Sequence, residues 1–507
     1  MVRLPPALAL GWLLLACAHR PLPAQTGAVR RVHDPVIARS AGAYWVFSTG
    51  VGRGNTVFVR RSKDLYTWTA EREVFEALPA WTADFEPRDR NIWAPDISFF
   101  GGSWRLYYSI SSFGTNRSAI GLATNATLDP AAPDHAWVDR GKVLESRPGV
   151  DEWNAIDPHI FVDDGVPWLA FGSYWTGIQM RRIDPATGMP SDADTTLYRL
   201  ASRPGSTAVE APCIIRSEEA YWLFVSFDQC CRGAESTYHI VVGRADSVTG
   251  PYCDRDGTPM LDGGGTLVLR GYGPYRGPGH CAVLQEDGRD WLVHHFYDRD
   301  DRGVAKLQVR PLLWPPDGWP IAGEPIPGPP PADDLEPTAV GTWEHRVDFA
   351  DAADAIRLLP NGRTSGRSGA DTWSLEGSSL KLEWRGEGAP GAARIERCAI
   401  SIDGSTYAGR TEAGTPILGR RVPGPFIRGD ATSEGIVDIE DAVLMLLHLF
   451  GGERRPRCAK AMDTNDDGAL DTADAVFLLD ALFRADARIP PPFPAEDLDP
   501  TPDGLGC

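Results

Sequence analysis

Three acidic residues stand at matched places in widely separated parts of the chain. Asp34 and Asp157 each precede a proline, and Glu210 lies two residues before one. Cleavage of a glycosidic bond needs a carboxylic acid that protonates the leaving oxygen and a carboxylate that acts on the opposite face of the sugar. When carboxyl groups lie close together in a site with little water, the pKa of one rises above that of the other, and that group stays protonated near neutral pH. The acids therefore predict acid–base catalysis on a sugar, although a single Asp-Pro is more often a structural turn.

The acids belong to a repeat of five segments, each with a short strand signal, a turn and an aromatic-rich strand. The segments begin at Asp34, Ala94, Asp157, Glu210 and Gly279, and they recur at roughly 50–70 residues, enough for a four-stranded blade. We therefore expect an all-β, five-bladed β-propeller over residues 28–322, whose blade starts converge on a central channel. Asp96 falls two residues later in its repeat and is expected to be structural. The tryptophans of the aromatic strands are expected in the blade cores: Trp45, Trp168, Trp222 and Trp291. An irregular β-sandwich is the alternative fold.

The chain of 507 residues begins with a short basic start and an apolar stretch from Ala7 to Ala18. This pattern predicts a signal peptide over residues 1–24 and a secreted protein, with lipid attachment through Cys17 and a cell-surface location as the alternative. No segment is apolar for long enough to span a membrane. The net charge of −19 argues against nucleic acid or an anionic membrane as a partner. Nine cysteines permit disulfides in an exported chain, and Cys458 with Cys507 is one candidate pair.

Further segments follow the propeller region. A proline-rich stretch from Pro320 to Pro331 is typical of an extended linker. Residues 336–423 carry strand-like runs and predict a small, barrel-like β domain. Residues 424–489 contain two acidic loops, each followed by an amphipathic helix, over 442–450 and 475–483. Residues 490–507 are expected to form an irregular tail.

The acidic loops place oxygen-bearing side chains at the alternate positions that EF-hand calcium loops require. The second loop offers Asp463, Asn465, Asp467, Asp471 and Asp474. The first loop offers Asp430, Thr432, Glu434, Asp438 and Asp441, and it is weaker because threonine occupies its third position. The duplication resembles a dockerin, a small α-helical module, which implies calcium as ligand and a cohesin-like or cell-surface scaffold protein as partner. A chance acidic loop is the alternative for each.

The propeller region resembles glycoside hydrolase family 43, specifically its endo-α-1,5-L-arabinanases. The resemblance covers residues 30–322 and is carried by the runs HDPVI at 33–37, NIWAPD at 91–96, WNAIDPHI at 153–160, VEAP at 209–212, FDQCCRG at 227–233 and GPGH at 277–280. It implies a secreted enzyme that cleaves with inversion within arabinan, a side chain of plant pectin. By this resemblance Asp34 is the general base, Glu210 the general acid, and Asp157 the residue that tunes the pKa of the acid.

The same resemblance implies places for the substrate and for an ion. The expected substrate-binding residues are Trp93, Phe113, Asn154, Ser173 and Trp175. His280 is expected to reach an ion in the central channel, usually calcium, with water completing its shell; the alternative is a channel histidine that hydrogen-bonds the acids. His294 and His295 alternate along one strand, and we expect both to be structural. The adjacent Cys230 and Cys231 are expected to have a structural role or to form part of the cleft wall, with redox chemistry or a metal as the alternative.

Other functions fit the same acids. An exo-acting arabinanase, an α-L-arabinofuranosidase and a β-xylosidase share the fold, and they differ in whether loops block one end of the cleft. Outside the enzymes, the alternative is a propeller that binds arabinan without cutting it. Such a protein has no need of a matched acid and base, so the sequence favours the glycosidase.

Overall fold

The structure is a computed structural model, and it describes residues 25–50, 56–85, 91–329, 338–365, 371–385, 393–422, 426–432, 434–451, 458–484, 487–497 and 499–501. The predicted signal peptide, Cys17 and Cys507 lie outside these residues. Among the helices of the described ranges, none has the length and apolar character needed to cross a membrane.

Five sheets form the blades of a propeller. Blade 1 contains β1 Thr26–Gly27, β2 Val36–Ser40, β3 Ala43–Ser48, β4 Phe58–Ser62 and β5 Thr67–Ala70. Blade 2 contains β6 Trp93–Phe100, β7 Ser103–Ile110, β8 Ser118–Asn125 and β9 Val138–Ser146. Blade 3 contains β10 His159–Asp163, β11 Val166–Phe171, β12 Ile178–Arg182 and β13 Tyr198–Ala201. Blade 4 contains β14 Val209–Ser217, β15 Ala220–Phe227, β16 His239–Ala245 and β17 Thr266–Leu269. Blade 5 contains β18 Tyr275–Glu286, β19 Arg289–Asp298, β20 Val304–Leu313 and β21 Ile321–Ala322.

The innermost strands are β2, β6, β10, β14 and β18, because these strands contact one another in a closed cycle around the axis. The fold is therefore the expected five-bladed propeller. Trp45, Trp222 and Trp291 are buried, and Trp168 packs against the core between blades 3 and 4. Burial of a large apolar side chain stabilises a fold by about 1.5–3 kcal/mol, so the aromatic strand of each repeat stabilises its own blade.

The segment before the first blade closes the ring. The side chain of Gln25 donates to the carbonyl oxygen of Val309 at 3.2 Å and accepts from its N–H at 3.1 Å. The N–H of Arg31 donates to the carbonyl oxygen of Ala305 at 2.7 Å, while β1 pairs in parallel with β5. The segment thus bonds to blade 5 and to blade 1, and it fastens the last blade to the first.

The second domain is one eight-stranded antiparallel sheet. Its strands are β22 Gly341–Val347, β23 Asp354–Leu358, β24 Thr364–Ser365, β25 Thr372–Glu376, β26 Ser379–Arg385, β27 Ala393–Ile400, β28 Thr406–Thr411 and β29 Pro416–Val422. They are ordered β24-β23-β22-β29-β28-β27-β26-β25, and a bridge between Arg363 and Thr372 brings the two edges together. The sheet is therefore nearly closed, as expected for a barrel-like domain.

The predicted linker is wrong at its beginning. Ile321 and Ala322 form the outer strand of blade 5, and Ile326 is buried. The guanidinium of Arg410, on β28, donates to the carbonyl oxygens of Trp319 and Pro320 at 2.8 and 3.0 Å. Because its apolar residues are buried, the beginning of this stretch is part of the propeller. The β domain packs directly against it.

The last described segment contains α1 Ile439–Gly451, α2 Ala459–Met462 and α3 Thr472–Phe483. Both long helices begin three residues before their predicted starts; Asp471 caps α3, with the side chain of Asp474 bonding back to it. The described part of the predicted tail has no helix or strand, but Asp497 pairs with Phe426 at the start of the segment. Cys458 is disulfide-bonded, and its predicted pairing with Cys507 stays a prediction.

Candidate active site

Each blade begins with one residue whose backbone is left-handed. These residues are Asp34 (φ 52°), Ala94 (φ 36°), Asp157 (φ 55°), Ala211 (φ 58°) and His280 (φ 48°). A left-handed backbone at a residue other than glycine costs on the order of 1–3 kcal/mol, and such residues cluster at functional sites. Asp34 and Asp157 occupy equivalent places, as predicted. Glu210 lies one residue earlier than its equivalent place, which Ala211 fills inside a β-bulge.

Hydrogen bonds join these five residues into a ring around the channel. In each bond the backbone N–H donates to a side chain of the preceding blade. The bonds run from Ala94 to Thr49 Oγ1 (2.9 Å), Asp157 to Ser109 Oγ (3.1 Å), Ala211 to Asp157 Oδ2 (3.2 Å), His280 to Ser226 Oγ (2.9 Å) and Asp34 to His295 Nδ1 (3.1 Å). At the matching place in blade 3 stands Gly172, which has no side chain to accept a hydrogen bond. The N–H of Ala211 therefore donates to the carboxylate of Asp157. His295, expected to be structural, thus faces the site and holds the backbone of Asp34.

Asp34 lies among three imidazole rings. Nδ1 of His280 is 3.2 Å from Oδ1 of Asp34, and Nδ1 of both His33 and His295 is 3.8 Å from the same oxygen. The hydroxyl of Thr49 donates to Oδ2. Burial alone would raise the pKa of Asp34, but the charge and hydrogen bond of His280, with those of His33, hold the pKa well below its usual range. Asp34 is therefore an ionised carboxylate across the neutral pH range.

Asp157 and Glu210 are 7% and 9% exposed. Burial raises the pKa of Asp157; the charge of His280 opposes the rise, and the charges of Glu210 and Asp34 add to it. Burial also raises the pKa of Glu210, against hydrogen bonds from Ser173 and Tyr238 that lower it. Because neighbouring carboxyls titrate together, the pair retains a proton near neutral pH while Asp34 does not.

The residues predicted to bind substrate divide into two groups. Phe113 and Trp175 are 73% and 37% exposed, on the loops that follow β7 and β11, at the channel end that holds the acids. Trp93 is half-buried and directly precedes the left-handed Ala94. Asn154 and Ser173 are buried instead. The hydroxyl of Ser173 donates to Oε2 of Glu210 at 2.7 Å, and the amide of Asn154 donates to the carbonyl oxygen of Ser173 at 3.3 Å. Ser173 thus contacts the predicted acid, and Asn154 holds the backbone of Ser173.

The channel ion predicted at His280 has few protein donors. Nδ1 of His280 is already occupied by Asp34, and the described groups whose ligand atoms converge here are His33, Asp34 and His295. Calcium prefers oxygen ligands, and this set supplies mainly imidazole nitrogens. The side chains alone do not fit calcium, so the ion stays a prediction and no catalytic step is derived through it.

The two acidic loops of the last segment share one geometry. Asp430 accepts from the N–H groups of Glu434 and Gly435 at 3.0 and 2.8 Å, and Asp463 accepts from Asp467 and Gly468 at 3.1 and 2.9 Å. At the other end of each loop, Asp441 accepts from Thr432 and Asp438, and Asp474 accepts from Thr464 and Asp471. The carboxylate oxygens of Glu434, Asp438 and Glu440 lie within 4.8 Å of one another. The donor set is oxygen throughout, which fits calcium.

Several residues that build the site were not predicted from the sequence. Thr49, Ser109 and Ser226 end the aromatic strand of their repeats, and this recurring hydroxyl was the available signal. Tyr238 carries no such signal, since it precedes the third strand of blade 4. Cys230 and Cys231 form a disulfide with each other, and the N–H of Cys231 donates to the hydroxyl of Tyr297 at 2.7 Å. The arrangement as a whole offers one ionised carboxylate and one carboxyl pair that keeps a proton.

Residues 28–320 match the model of glycosyl hydrolases family 43. The chain belongs to this family. It is 41% identical to the extracellular exo-α-(1→5)-L-arabinofuranosidase of Cellvibrio japonicus, with 57% of this chain and 85% of that protein aligned. It is 40% identical to the extracellular endo-α-(1→5)-L-arabinanase 1 of Bacillus subtilis, with 56% and 85% aligned.

A solved structure of a family member shows the same propeller. The α-L-arabinanase of Cellvibrio cellulosa complexed with arabinohexaose is 40% identical, with a TM-score of 0.56 over 58% of this chain and 96% of that chain. This protein is thus a family 43 glycosidase whose relatives degrade arabinan in both exo and endo fashion. The relatives from Cellvibrio japonicus and Bacillus subtilis are named as extracellular, which is consistent with the predicted secretion.

Proposed function

We propose that this protein is a secreted arabinanase that cleaves α-1,5-L-arabinofuranosidic bonds within arabinan, with inversion at the anomeric carbon. The observation that carries the proposal is the contrast between Asp34, whose pKa is held low, and the neighbouring Asp157 and Glu210, whose pKa values burial raises. One family 43 site then holds a base and an acid in the protonation states that hydrolysis needs.

In the proposed mechanism Asp34 accepts a proton from the attacking water. The hydroxyl of Thr49 and the ring of His280 fix the two oxygens of Asp34, so the carboxylate is held in one orientation. Glu210 donates its proton to the departing glycosidic oxygen. Asp157 accepts the N–H of Ala211 and keeps the backbone beside Glu210 in its strained form. Inversion leaves room for the water, so the carboxyls of Asp34 and Glu210 should be about 6.5–9.5 Å apart.

Endo action is proposed because exposed aromatic side chains extend the site. Phe113 and Trp175, on neighbouring blades, offer faces against which further arabinose rings can pack. An exo enzyme instead needs a wall at one end of the cleft. Exo action is the alternative, because the relative from Cellvibrio japonicus is named as an exo-acting enzyme.

Digestion of debranched arabinan tests the function. We expect a spread of oligosaccharides early in the reaction, with the new reducing ends appearing first as the inverted anomer in proton NMR. A single short product from the start would establish exo action. Asp34→Asn and Glu210→Gln should each abolish hydrolysis, whereas Glu219→Gln, an exposed control on blade 4, should not. Arabinan binding without hydrolysis by the wild-type protein would favour the non-catalytic alternative.

We further propose that the last described segment binds calcium and attaches the enzyme to a scaffold protein. The matched loops at Asp430 and Asp463 supply oxygen donors of the type that calcium prefers. The helices that follow the loops carry exposed apolar side chains, namely Ile439, Val443, Phe450, Val476 and Phe483. An exposed apolar patch of this kind is typical of an interaction surface, which supports a cohesin-like or cell-surface partner.

A further inference from the structure

One loop of blade 4 reaches over to blade 5 and carries a disulfide. This disulfide loop, residues 228–238, connects β15 to β16, and Cys230 is bonded to Cys231 within it. The N–H of Cys231 donates to the hydroxyl of Tyr297, on β19, at 2.7 Å. Tyr297 is 2% exposed, so the loop of one blade supplies a hydrogen-bond donor to an enclosed side chain of the next.

The disulfide and a glycine hold the loop in this place. Cys231 has a left-handed backbone (φ 67°), which residues other than glycine rarely adopt. A bond between adjacent cysteines closes a small ring that contains the peptide link between them, and the ring excludes most other backbone conformations. A Cβ atom on Gly303, in the turn between β19 and β20, would lie 2.5 Å from the amide nitrogen of Ala234. Glycine at position 303 thus lets the loop lie against blade 5, with the N–H of Cys231 directed at the phenol.

The ring of Tyr297 contacts the two imidazoles beside Asp34. Its centroid is 5.4 Å from that of His33 and 5.4 Å from that of His295, and both contacts are edge to face. The two imidazoles lie against each other, with their centroids 4.3 Å apart. Nδ1 of each is 3.8 Å from Oδ1 of Asp34, and Nδ1 of His295 accepts the backbone N–H of Asp34. The phenol ring therefore holds the imidazoles that flank the proposed base.

A continuous series of contacts thus runs from the disulfide through Tyr297 and the imidazoles to Asp34. A general base must be aligned with the attacking water, and a displacement of about 1 Å can cost roughly a hundredfold in rate. The groups of this series come from three blades, because the loop belongs to blade 4, Tyr297 to blade 5 and Asp34 to blade 1. The place of the base consequently depends on how the loop holds Tyr297.

We propose that Tyr297 is a positioning residue for the general base, and that the disulfide between Cys230 and Cys231 acts through it. The disulfide directs the N–H of Cys231 at the phenol, and the phenol keeps the two imidazoles against Asp34. This inference rests on the proposed role of Asp34 and deepens it. It gives the disulfide a task in catalysis that needs no contact with the sugar.

Steady-state kinetics on debranched arabinan tests the inference. A double-serine variant, Cys230→Ser with Cys231→Ser, removes the ring that directs the N–H, and Tyr297→Phe removes its acceptor while the aromatic ring stays. We expect each variant to lower kcat about tenfold with KM unchanged, because the base is misplaced while the sugar still binds. Tyr252→Phe removes another buried hydroxyl, bonded to the carbonyl oxygen of Val248, and should leave both constants unchanged.

Combining the substitutions shows whether the disulfide acts through the phenol. The variant that carries Tyr297→Phe and both serines should have the kcat of Tyr297→Phe alone, because the shared contact is already lost. Losses of kcat that multiply would overturn the inference, since the two groups would then act independently. A raised KM with wild-type kcat in the double-serine variant would also overturn it, because the disulfide would then contact the sugar. Wild-type kcat in Tyr297→Phe would end the positioning role.

Reduction of the wild-type protein gives a second measurement if the double-serine variant folds poorly. Tris(2-carboxyethyl)phosphine breaks the S–S bond to two thiols and takes the oxygen of one water to become the phosphine oxide. We expect kcat of the wild type to fall as in the double-serine variant, with KM unchanged. The same reagent should not change kcat of Tyr297→Phe. An equal loss in that variant would place the effect of reduction elsewhere and contradict the inference.

Asp34→Asn separates this inference from the proposed function. If Asp34→Asn still hydrolyses arabinan, Asp34 is not the base and the proposed function fails. If Asp34→Asn is inactive while Tyr297→Phe and the double-serine variant keep the kcat of the wild type, the proposed function stands and only the role of Tyr297 is overturned.

Discussion

The backbone N–H of Asp34 donates a hydrogen bond to Nδ1 of His295 at 3.1 Å, and this bond joins the last blade of the propeller to the first. Burial, aided by the charges of His33 and other neighbours, holds the pKa of His295 well below its usual range. The imidazole is therefore neutral, with Nδ1 free to accept. The same bond thus adds to the closure of the propeller and holds the backbone of the proposed base.

Replacing His295 tests this dependence. His295→Ala leaves the N–H of Asp34 buried without its acceptor, which costs about 1–3 kcal/mol of unfolding free energy. Because Asp34 must stay aligned with the attacking water, kcat should fall roughly tenfold to a hundredfold. Steady-state kinetics and denaturant unfolding measure the two effects. His448→Ala, on α1 outside the propeller, is the control, and wild-type kcat in His295→Ala would contradict the role.

The ring of N–H bonds makes a second prediction about serine hydroxyls. Ser109→Ala and Ser226→Ala each remove the acceptor for a left-handed residue, Asp157 or His280. Each should lower the unfolding free energy by about 1–3 kcal/mol, because a buried N–H is left unpaired. Ser374→Ala, exposed on β25, should change it by less than about 0.5 kcal/mol. Equal losses of unfolding free energy at all three positions would mean that the hydrogen bonds of the ring stabilise the fold no more than an exposed serine does.

The repeat in the sequence predicted the propeller and the convergence of its blade starts. That inference worked because a five-fold recurrence of strand and aromatic patterns leaves few other architectures. It misplaced Glu210 by one residue, since the β-bulge between Glu210 and Cys213 inserts a position that a linear repeat does not reveal. Asp34 and Asp157 needed no such correction.

The places of Tyr238 and His295 do not follow from the sequence. His294 and His295 are neighbours on an apolar strand, and alternation alone does not show which of the two side chains faces the channel. Both were therefore expected to be structural. Tyr238 lies outside the repeated motif, and its ring lies against the bare backbone of Gly279 in the next blade. Contacts of this kind follow from how blades pack on one another, which the order of residues does not record.

Ser173 gives a prediction about pH. Its hydroxyl lowers the pKa of Glu210, so Ser173→Ala should raise that pKa. A general acid must be protonated, and activity therefore declines as the pH rises through its pKa. The alkaline limb of kcat/KM should move to higher pH in Ser173→Ala, while kcat on the plateau falls. A limb that moves to lower pH, or does not move, would contradict the assignment of the limb to Glu210.

Calcium should bind the last segment in two equivalents. Asp463→Ala removes the acceptor for the N–H groups of Asp467 and Gly468 and one ligand of the second loop, so calorimetric titration should show a single remaining site. Asp192→Ala, exposed on the propeller, should keep both sites. Chelation should lower the melting temperature of this segment with the propeller transition unchanged. Two sites in Asp463→Ala would contradict the assignment of that loop.

Glu210 should cost stability at neutral and alkaline pH. Its pKa in the folded state is raised by burial, so the unfolded chain releases this proton at lower pH than the folded protein does. Folding stability therefore decreases as the pH rises above the unfolded pKa, and it is unaffected well below it. Glu210→Gln keeps an acceptor oxygen for the hydroxyl of Ser173 without the charge, so it should melt higher than wild type at pH 8 and at about the same temperature at pH 3. Glu219→Gln, exposed on the same blade, should melt like wild type at both values. A Glu210→Gln variant that is less stable than wild type at pH 8 would show that Glu210 is a structural carboxylate, held for the fold and not for proton donation.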